Sequence, residues 1–291
     1  MAKILVTGAA GGFGRLIVEA LRERGHAVVG TMRDVDGRNR AAAQAMRDHD
    51  VTAVEMDVTR EDSVERGVSL AMSKLGGLDV VVNNAGVGVL GYQESFTADD
   101  WKRLFDVNVF GVQRVNRAVL PSMREQRSGV LLHISSLLGR IAMPFYSPYV
   151  ASKWALEALA EGYLVELSQL GIESAIVEPG GYPTAFMDNL LRPSDSARAK
   201  GYAALPLNPE GFLNGFEHAM AANPAQDPRL VADAVMRVIE APAGQRPFRT
   251  VADKMGMGDA IQPYNEHFAR VTEGLYKAFG IDFLLRLSRA G

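Results

Sequence analysis

The stretch that decides the fold is Thr7-Gly8-Ala9-Ala10-Gly11-Gly12-Phe13-Gly14, which joins a short apolar run to a longer amphipathic one. The apolar run, Lys3–Thr7, predicts a buried strand, and Gly12–Arg24 predicts a helix. The glycines at 8, 12 and 14 let the chain turn sharply and let a pyrophosphate approach the N–H groups of the helix N-terminus. This order predicts a dinucleotide-binding site, with a purely structural turn as the alternative.

The same alternation of short apolar runs and amphipathic stretches continues along most of the chain. Because the apolar runs are rich in Val and Ile throughout, they predict strands buried on both faces of a parallel sheet. The predicted strands are Lys3–Thr7, Ala27–Met32, Thr52–Glu55, Asp79–Asn83, Val130–Ser135, Ser174–Glu178 and Phe248–Val251. The predicted helices are Gly12–Arg24, Gly37–Asp48, Asp62–Leu75, Ala98–Arg124, Tyr149–Leu170 and Arg229–Glu240. The pattern predicts an α/β fold, a doubly wound parallel sheet with helices on both faces.

Residues 1–291 are predicted to form a single domain. After Pro179 the pattern changes: residues 183–228 are rich in Pro, Ala and Asn and carry scattered large apolar side chains such as Phe186 and Phe216. We interpret this segment as an insertion that covers the substrate, and residues 252–291 as a helical C-terminal tail.

The composition argues against several classes of function. With 22% charged residues and a net charge of −3, the chain gives no electrostatic reason to expect nucleic acid or an anionic membrane as a partner. The absence of cysteine excludes thiolate catalysis and disulfides. The five histidines are scattered, so no catalytic metal is expected, and His133 is interpreted as a packed core residue. No signal peptide and no run of about 18 apolar residues are visible, so we expect a cytoplasmic location.

The end of the second predicted strand bears on the choice of cofactor. An acidic residue there would hold the ribose 2′-hydroxyl of NAD(H), whereas an arginine pairs with the 2′-phosphate of NADP(H). The chain has Met32 followed by Arg33, and Arg38 or Arg40 could assist. We therefore expect NADP(H) in preference to NAD(H). The alternative is that Arg33 is a solvated charge and that Asp34 contacts the ribose.

Two further strand ends carry polar residues where a cofactor would pass. Asp57 follows the third predicted strand and is placed to contact the adenine, with capping of the next helix as the alternative. Asn83-Asn84-Ala85-Gly86 ends the fourth predicted strand, where Asn and Gly could form only a turn.

Tyr149 and Lys153 are the candidate reactive pair. Residues four apart share one face of a helix, so the phenol and the ammonium point the same way. A free tyrosine titrates near pH 10, and a neighbouring ammonium favours the phenolate. Lowering the pKa by about three units requires roughly 4 kcal/mol. An isolated pair of this kind is more often structural.

Two polar residues earlier in the chain give the pair a catalytic setting. Ser136 ends the fifth predicted strand, together with Ser135, and its hydroxyl could donate to a developing oxyanion. Asn108 lies in a predicted helix, where asparagine is a mediocre helix former. Its side chain could hold a water in a proton relay, with an exposed helix residue as the alternative.

Together these motifs resemble the classical short-chain dehydrogenase/reductases. The matching pieces, in family order over residues 3–184, are Thr7-Gly8-(x)3-Gly12-x-Gly14, Asp57-Val58, Asn83-Asn84-Ala85-Gly86, Asn108, Ser136-x-x-Gly139, Tyr149-(x)3-Lys153 and Pro179-Gly180. Thr31–Asp34 and Ala185-Phe186 are similar to the branch of hydroxysteroid and retinol dehydrogenases. Unlike many NADP-dependent members, the chain has no Lys or Arg at Ala9 or Ala10.

The resemblance implies a Rossmann-type sheet of about seven strands and a catalytic tetrad of Asn108, Ser136, Tyr149 and Lys153. It also implies that Tyr149 is the acid–base group, that Lys153 contacts the nicotinamide ribose, and that Thr184 lies near the carboxamide. The cofactor contacts expected from it are Gly8, Gly12, Phe13, Gly14, Arg33, Asp57, Val58, Asn84, Ala85, Gly86, Tyr149, Lys153, Pro179, Gly180 and Thr184. Helices 98–124 and 149–170 would pair across the interface of a homodimer or homotetramer, unless they are buried within one chain.

The sequence therefore predicts an oxidoreductase that moves a hydride between NADP(H) and an alcohol/ketone pair. The expected substrate pocket is apolar and favours a lipophilic or aromatic ketone; its residues are Val87, Leu138, Phe145, Tyr182, Phe186 and the segment 185–220. The alternatives are a carbon–carbon double-bond reductase on the same fold, a non-catalytic dinucleotide sensor and a glycine-turn methyltransferase. The short gap between Tyr149 and Lys153 argues against the first, the intact tetrad against the second, and Met32 against the third.

Overall fold

A computed structural model describes residues 1–288 as one parallel sheet with helices around it. The seven strands are β1 Lys3–Val6, β2 Ala27–Met32, β3 Thr52–Glu55, β4 Val80–Asn83, β5 Gly129–Ile134, β6 Ile172–Pro179 and β7 Arg249–Ala252. Their order in the sheet is β3-β2-β1-β4-β5-β6-β7, and each pair of neighbours is parallel. This confirms the predicted doubly wound sheet; the strands differ from the predicted ones only at their ends.

Ten α-helices accompany the strands within the described residues. They are α1 Gly12–Glu23, α2 Arg40–Asp48, α3 Glu61–Leu75, α4 Ala98–Phe105, α5 Gly111–Gln126, α6 Ser147–Leu167, α7 Ala185–Asp188, α8 Pro209–Ala221, α9 Arg229–Glu240 and α10 Met257–Phe279. Residues of α1, α2 and α9 pack on one face of the sheet, and residues of α3, α5 and α6 pack on the other. The central strand β5 is buried along its whole length because both faces are covered.

The chain order in the sheet reverses between β1 and β4. From β1 the chain runs outward to β3, then crosses back to β4 on the other side of β1. Beyond the carboxyl ends of these two strands the loops diverge, and ligands of doubly wound sheets bind in the crevice left there. The glycine-rich turn after β1 and the Asn83-Asn84-Ala85-Gly86 segment after β4 lie on opposite sides of this point.

Two predicted helices differ from the observed ones. The predicted helix Gly37–Asp48 begins only at Arg40, because Asp34 has a positive φ of 53° and its carboxylate accepts a hydrogen bond from the Arg38 N–H, which holds residues 34–38 in a turn. The predicted helix 98–124 is interrupted by a π-helical segment, Asp106–Phe110, between α4 and α5. Asn108 lies inside this widened turn.

The segment 183–228 contains α7, α8 and a 3-10 helix, Ser196–Tyr202. The predicted tail 252–291 is largely α10, followed by a 3-10 turn at Asp282–Leu285. Its last residues, 289–291, lie outside the described residues. None of the helices in the described part of the chain has the length and hydropathy needed to cross a bilayer.

Candidate active site

One cavity of about 620 Å³ runs along the carboxyl ends of the strands. At one end it is lined by the polar and glycine-rich segments that follow β1 to β4, and at the other by apolar side chains from α7, α8 and the loop before α6. Every catalytic and cofactor residue predicted from the sequence lines it, apart from Asn108 and Gly14.

The glycine-rich turn is shaped by contacts that exclude a side chain. A Cβ on Gly14 would lie 2.3 Å from the Gly8 carbonyl oxygen, and a Cβ on Gly8, whose φ is +67°, would lie 2.8 Å from the Ala85 Cα. Gly12 also has a positive φ of +53°, but open space surrounds its Cα. Since no side chain caps the N-terminus of α1, its first N–H groups are available to a phosphate.

Asn84 holds the turn in place. Its side-chain amide donates to the Thr7 carbonyl at 2.8 Å and to the Gly8 carbonyl at 3.1 Å. The Thr7 hydroxyl in return accepts the N–H groups of Asn84 and Ala85, both at 3.0 Å. Asn84 therefore joins the ends of β1 and β4 and supports the glycine-rich turn. These two hydrogen bonds use both hydrogens of its side-chain amide.

The two arginines at the outer end of the cavity are free to meet an anion. Arg33 and Arg38 line both this cavity and an adjoining shallow one, and neither guanidinium has an ion-pair partner among residues 1–288. Glu55, one of the nearby carboxylates, is engaged by backbone groups: it accepts the N–H of Asp34 and of Val35, both at 2.8 Å. Arg40, the other arginine considered for contact with the 2′-phosphate, is the first residue of α2 and does not line the cavity.

Asp57 and Val58 form the adjoining wall. One Asp57 oxygen accepts the Thr59 N–H at 3.0 Å and the Thr59 hydroxyl at 2.8 Å, which closes a tight turn. The residue that precedes α3 is Arg60, so Asp57 does not cap that helix. Val58 packs against Gly111 at the start of α5.

Ser136 and Tyr149 face each other in the middle of the cavity. Burial raises the pKa of Tyr149 well above its ordinary value, while a hydrogen bond with Ser136 acts in the opposite direction. The Ser136 oxygen accepts the Leu138 N–H at 3.1 Å, which leaves its hydroxyl hydrogen for the Tyr149 oxygen or for a ligand in the cavity. The two hydroxyl groups thus converge on one point of the cavity.

Lys153 lies beneath this pair, one helical turn after Tyr149. Its ammonium donates to the Ile134 carbonyl at 2.8 Å and lies 5.5 Å from the centre of the Tyr149 ring. Burial lowers the pKa of Lys153 to about 8, and the negative charge of Glu157 partly opposes this. A neighbouring ammonium favours the phenolate, but burial has the largest effect on the pKa of Tyr149 here and raises it.

Most of the hydrogen-bonding capacity of the Asn108 side chain is already used within the protein. Its amide donates to the Val87 carbonyl at 2.9 Å and to the Ser152 hydroxyl at 3.0 Å, and its oxygen accepts the Val87 N–H at 2.9 Å. Both amide hydrogens are therefore used, and only the second lone pair of the oxygen could hold the expected water. The side chain instead ties the loop after β4 to α6.

His133 is a fully buried residue of β5. Its ring nitrogen lies 3.4 Å from the Asn83 amide nitrogen. Burial, and then the charge of Lys153, lower its pKa to about 3, so the ring is neutral. Within the described residues no group of His, Asp and Glu side chains is arranged to hold a metal ion.

At the inner end of the cavity most of the predicted substrate residues form the wall. Val87, Leu138, Tyr182 and Phe186 line it, and Thr184 lies beside them with Pro179 and Gly180. Phe145 does not line it: its φ of +68° turns the side chain outward, onto Tyr92 and Phe212. No sequence pattern pointed to three other residues that also line the cavity, Met143, Tyr146 and Met257.

The residues present fit a nicotinamide dinucleotide. In the glycine-rich turn, which forms a cradle for the phosphates, Gly8 and Gly14 leave no room for a side chain. No side chain caps the N-terminus of α1 next to this turn. Two arginines line the outer end of the cavity. The cavity connects these features with Ser136, Tyr149 and Lys153 without interruption.

Comparison with known proteins places the chain among oxidoreductases. Residues 2–194 match the family model described as short chain dehydrogenase. A 3-ketodihydrosphingosine reductase of Bacteroides thetaiotaomicron is 37% identical over 186 residues, which is 64% of this chain and 66%, just under two thirds, of that protein. Retinol dehydrogenase 8 of Bos taurus is 33% identical over 81% of this chain and 77% of its own length. The crystal structure of a variant of actinorhodin polyketide ketoreductase with NADPH matches with a TM-score of 0.72 and 25% identity, covering 89% of this chain and 98% of that one.

Proposed function

This chain belongs to the short-chain dehydrogenase family and is an NAD(P)-dependent oxidoreductase of alcohol and carbonyl groups, and from that premise we propose that it interconverts a secondary alcohol and a ketone or aldehyde with NADP(H). The proposed acid–base group is Tyr149. The observation that carries the proposal is the convergence of the Ser136 and Tyr149 hydroxyls above Lys153, in a cavity continuous with the glycine-rich cradle.

The roles of the chain's own residues follow from their contacts. The Ser136 hydroxyl donates to the substrate oxygen and orients it, since the backbone engages only the serine oxygen and not its hydrogen. Tyr149 gives its proton to that oxygen when the carbonyl is reduced and takes it back when the alcohol is oxidised. Lys153 supplies positive charge below the ring and favours the phenolate that this exchange creates. When bound, the nicotinamide supplies or accepts the hydride.

A single hydroxyl deletion tests the proposed role of Tyr149. Tyr149→Phe should lower turnover of a ketone by roughly 10²- to 10⁴-fold, the usual contribution of a positioned acid–base group, with cofactor affinity nearly unchanged. Tyr163→Phe, on the same helix but outside the cavity, is the matched control. Steady-state kinetics and a fluorescence titration with NADPH give the two readouts, and near-normal turnover in Tyr149→Phe would remove the assignment.

NADP(H) is proposed over NAD(H) because of the outer end of the cavity. Arg33 and Arg38 offer two guanidinium groups with no ion-pair partner among the described residues, and the side chain of Asp34 is turned into its own loop, where it accepts the Arg38 N–H at 3.0 Å. Planar guanidinium groups suit the 2′-phosphate. Replacing both by alanine should weaken NADPH binding by roughly 10- to 100-fold and NADH binding far less. Arg40→Ala is the control, and equal losses for the two cofactors would contradict the preference.

A lipophilic or aromatic substrate is proposed from the inner wall of the cavity. The side chains of Leu138, Phe186 and Phe212 are apolar, and the relatives named for ketodihydrosphingosine and retinol act on lipophilic molecules according to their names. A panel of ketones of increasing chain length should show kcat/KM rising with apolar area. A sensor without catalysis would bind NADPH and turn over none of them, and a double-bond reductase would reduce only enones.

The cytoplasmic location and the homodimer or homotetramer stay predictions. We also propose that residues 183–228 act as the substrate-covering insertion of one domain, since Phe186, Phe212 and Phe216 all reach the cavity from it.

A further inference from the structure

The hydroxyl of Tyr146 is a buried polar group without a partner among the described residues. Tyr146 lines the inner part of the cavity, only 6% of the residue is exposed, and its oxygen has no hydrogen-bond partner there. A buried hydroxyl left in this state is destabilising, so folds seldom retain one without a use. Another cavity tyrosine shows the usual arrangement: the Tyr182 hydroxyl donates to the Ala252 carbonyl at 3.0 Å.

Tyr146 stands between the reacting groups and the insertion. It directly precedes α6 and lies three residues before Tyr149, a spacing that places the two side chains on the same side of the helix start. The two phenols interact electrostatically, since Tyr146 contributes to raising the pKa of Tyr149. From the opposite side the ring of Phe212 in α8 covers Tyr146, with centroids 6.1 Å apart at an angle of 64°.

The surroundings define what this hydroxyl can bind. Burial, followed by the charge of Glu217, raises the pKa of Tyr146 to about 12, although Arg192 acts to lower it, so the group stays neutral and can donate a hydrogen bond. Among the described residues that line the cavity, Arg33, Arg38 and Asp57 lie at the outer end, and Lys153 is the charged residue at the inner end. The Tyr146 hydroxyl itself offers an ionised substrate group no opposite charge, whereas a neutral oxygen needs only the hydrogen bond that this hydroxyl can donate.

We propose that Tyr146 is a specificity-determining residue that donates a hydrogen bond to a second, uncharged oxygen of the substrate, one carried close to the reacting carbonyl. The assignment rests on the proposed function and deepens it: the substrate is a lipophilic ketone with a neighbouring hydroxyl or carbonyl group. Ser136 and Tyr149 hold the reacting oxygen, and Tyr146 holds the other one under the cover of α8.

The test compares ketones that differ only in a second oxygen. Acyclic ketones of one chain length, plain or with a hydroxyl placed α, β or γ to the carbonyl, are assayed with NADPH for the wild type, Tyr146→Phe and Tyr92→Phe. Tyr92 is the matched control because it packs on the outer side of Phe145 and does not line the cavity. We expect the wild type to prefer one hydroxy ketone over the plain ketone, and Tyr146→Phe to reduce that ratio of kcat/KM roughly tenfold, as for one hydrogen bond between neutral groups.

A second readout separates recognition from folding. Because the lost hydroxyl has no partner in the described part of the fold, the Tm of Tyr146→Phe should equal or exceed that of the wild type. A clearly lower Tm would reveal a structural partner and overturn the assignment, as would an unchanged ratio at every hydroxyl position. If the wild type turns over no ketone although it binds NADPH, the proposed function fails and this assignment falls with it.

Discussion

Gly14 and Gly12 in the phosphate-binding turn serve different purposes, the first in packing and the second in cofactor binding. Replacing each by alanine should distinguish the two. At Gly14 a Cβ meets the backbone of Gly8 at 2.3 Å, and backbone cannot move aside as a flexible side chain can. Gly14→Ala should therefore lower the free energy of unfolding by about 3 kcal/mol through overpacking. At Gly12 nothing lies within 4 Å, and the penalty is mainly that of φ +53°, about 1 kcal/mol.

The effect on cofactor binding that is specific to the phosphate site should be found at Gly12 and not at Gly14. The open space above Gly12 is where a pyrophosphate would approach the N-terminus of α1, and a methyl group would occupy it. Gly12→Ala should stay folded and weaken NADPH binding at least tenfold, measured by titration beside urea unfolding. Tight binding by Gly12→Ala would mean that the cradle lies elsewhere.

Glu178, at the end of β6, should make the stability of the protein depend on pH. Burial, followed by the charge of Glu157, raises the pKa of Glu178 to about 7, although Arg140, Arg249 and Asn265 act to lower it. Between its ordinary pKa and about 7 the folded chain thus binds a proton that the unfolded chain lacks. This contribution to stability is fully present below the ordinary pKa and is lost as the pH rises through about 7.

Urea unfolding between pH 5 and 8 checks the sign. The free energy of unfolding of the wild type should fall over this interval. That of Glu178→Gln, whose side chain cannot titrate, should be lower at pH 5 and should change less with pH. Parallel curves for the two proteins would assign the slope to other groups.

Behind the active site, a cluster of buried charges joins Arg140, in the loop after β5, to four elements. Arg140 lies 3.2 Å from Glu157 on α6 and 3.2 Å from Glu178 on β6. Arg249 on β7 lies 3.0 Å from Glu157, and Asn265 on α10 donates to Glu178 at 2.6 Å. The cluster therefore fixes the helix that carries Tyr149 and Lys153 against the sheet and the C-terminal helix.

Removing one member should cost far more stability than removing a surface pair. Arg140→Leu leaves two buried carboxylates with less positive charge and should lower the free energy of unfolding by about 3 to 5 kcal/mol. Arg15→Ala breaks an exposed pair with Glu19 and should change it by less than about 1 kcal/mol. Chemical denaturation of both variants gives the comparison, and similar small losses would show that the cluster is not stabilising.

The regular elements could be predicted because their signals are local. Short, largely apolar runs predicted β2 and β3 with the observed bounds, and the apolar spacing of Arg229–Glu240 predicted α9. The glycine-rich turn and the Tyr149/Lys153 pair are likewise short patterns, so the part of the cavity that they line could be predicted from the sequence.

The remaining features depend on contacts between distant parts of the chain. Arg140, Glu178 and Arg249 look like ordinary surface charges until the sheet brings them together. The outward turn of Phe145 follows from one positive φ, and the wall residue Met257 comes from a helix that begins well after the family motifs. Periodicity carries no information on any of these.

At the scale of the whole molecule, α6 is apolar on both faces. Its inner side packs on the sheet with Leu156, Ala160 and Leu167, yet Trp154 and Ala158 on the outer side are exposed. Open space surrounds Gly162 on the same helix, so another backbone could approach closely there. An exposed apolar patch on a helix often marks an interaction site, so we predict that a second copy of the chain covers the outer face of α6.

Trp154→Glu should therefore shift the protein from a homodimer or homotetramer towards smaller species. Trp154 is 42% exposed within one chain, and a carboxylate at the centre of an apolar interface would lose its water without gaining a partner. Leu70→Glu is the matched control, because Leu70 is 44% exposed but lies on α3. Sedimentation velocity at micromolar concentration should show the wild type and Leu70→Glu as oligomers and Trp154→Glu as mainly monomer. A wild type that sediments as a monomer would instead leave the outer face of α6 open to solvent and contradict the predicted pairing of helices 98–124 and 149–170.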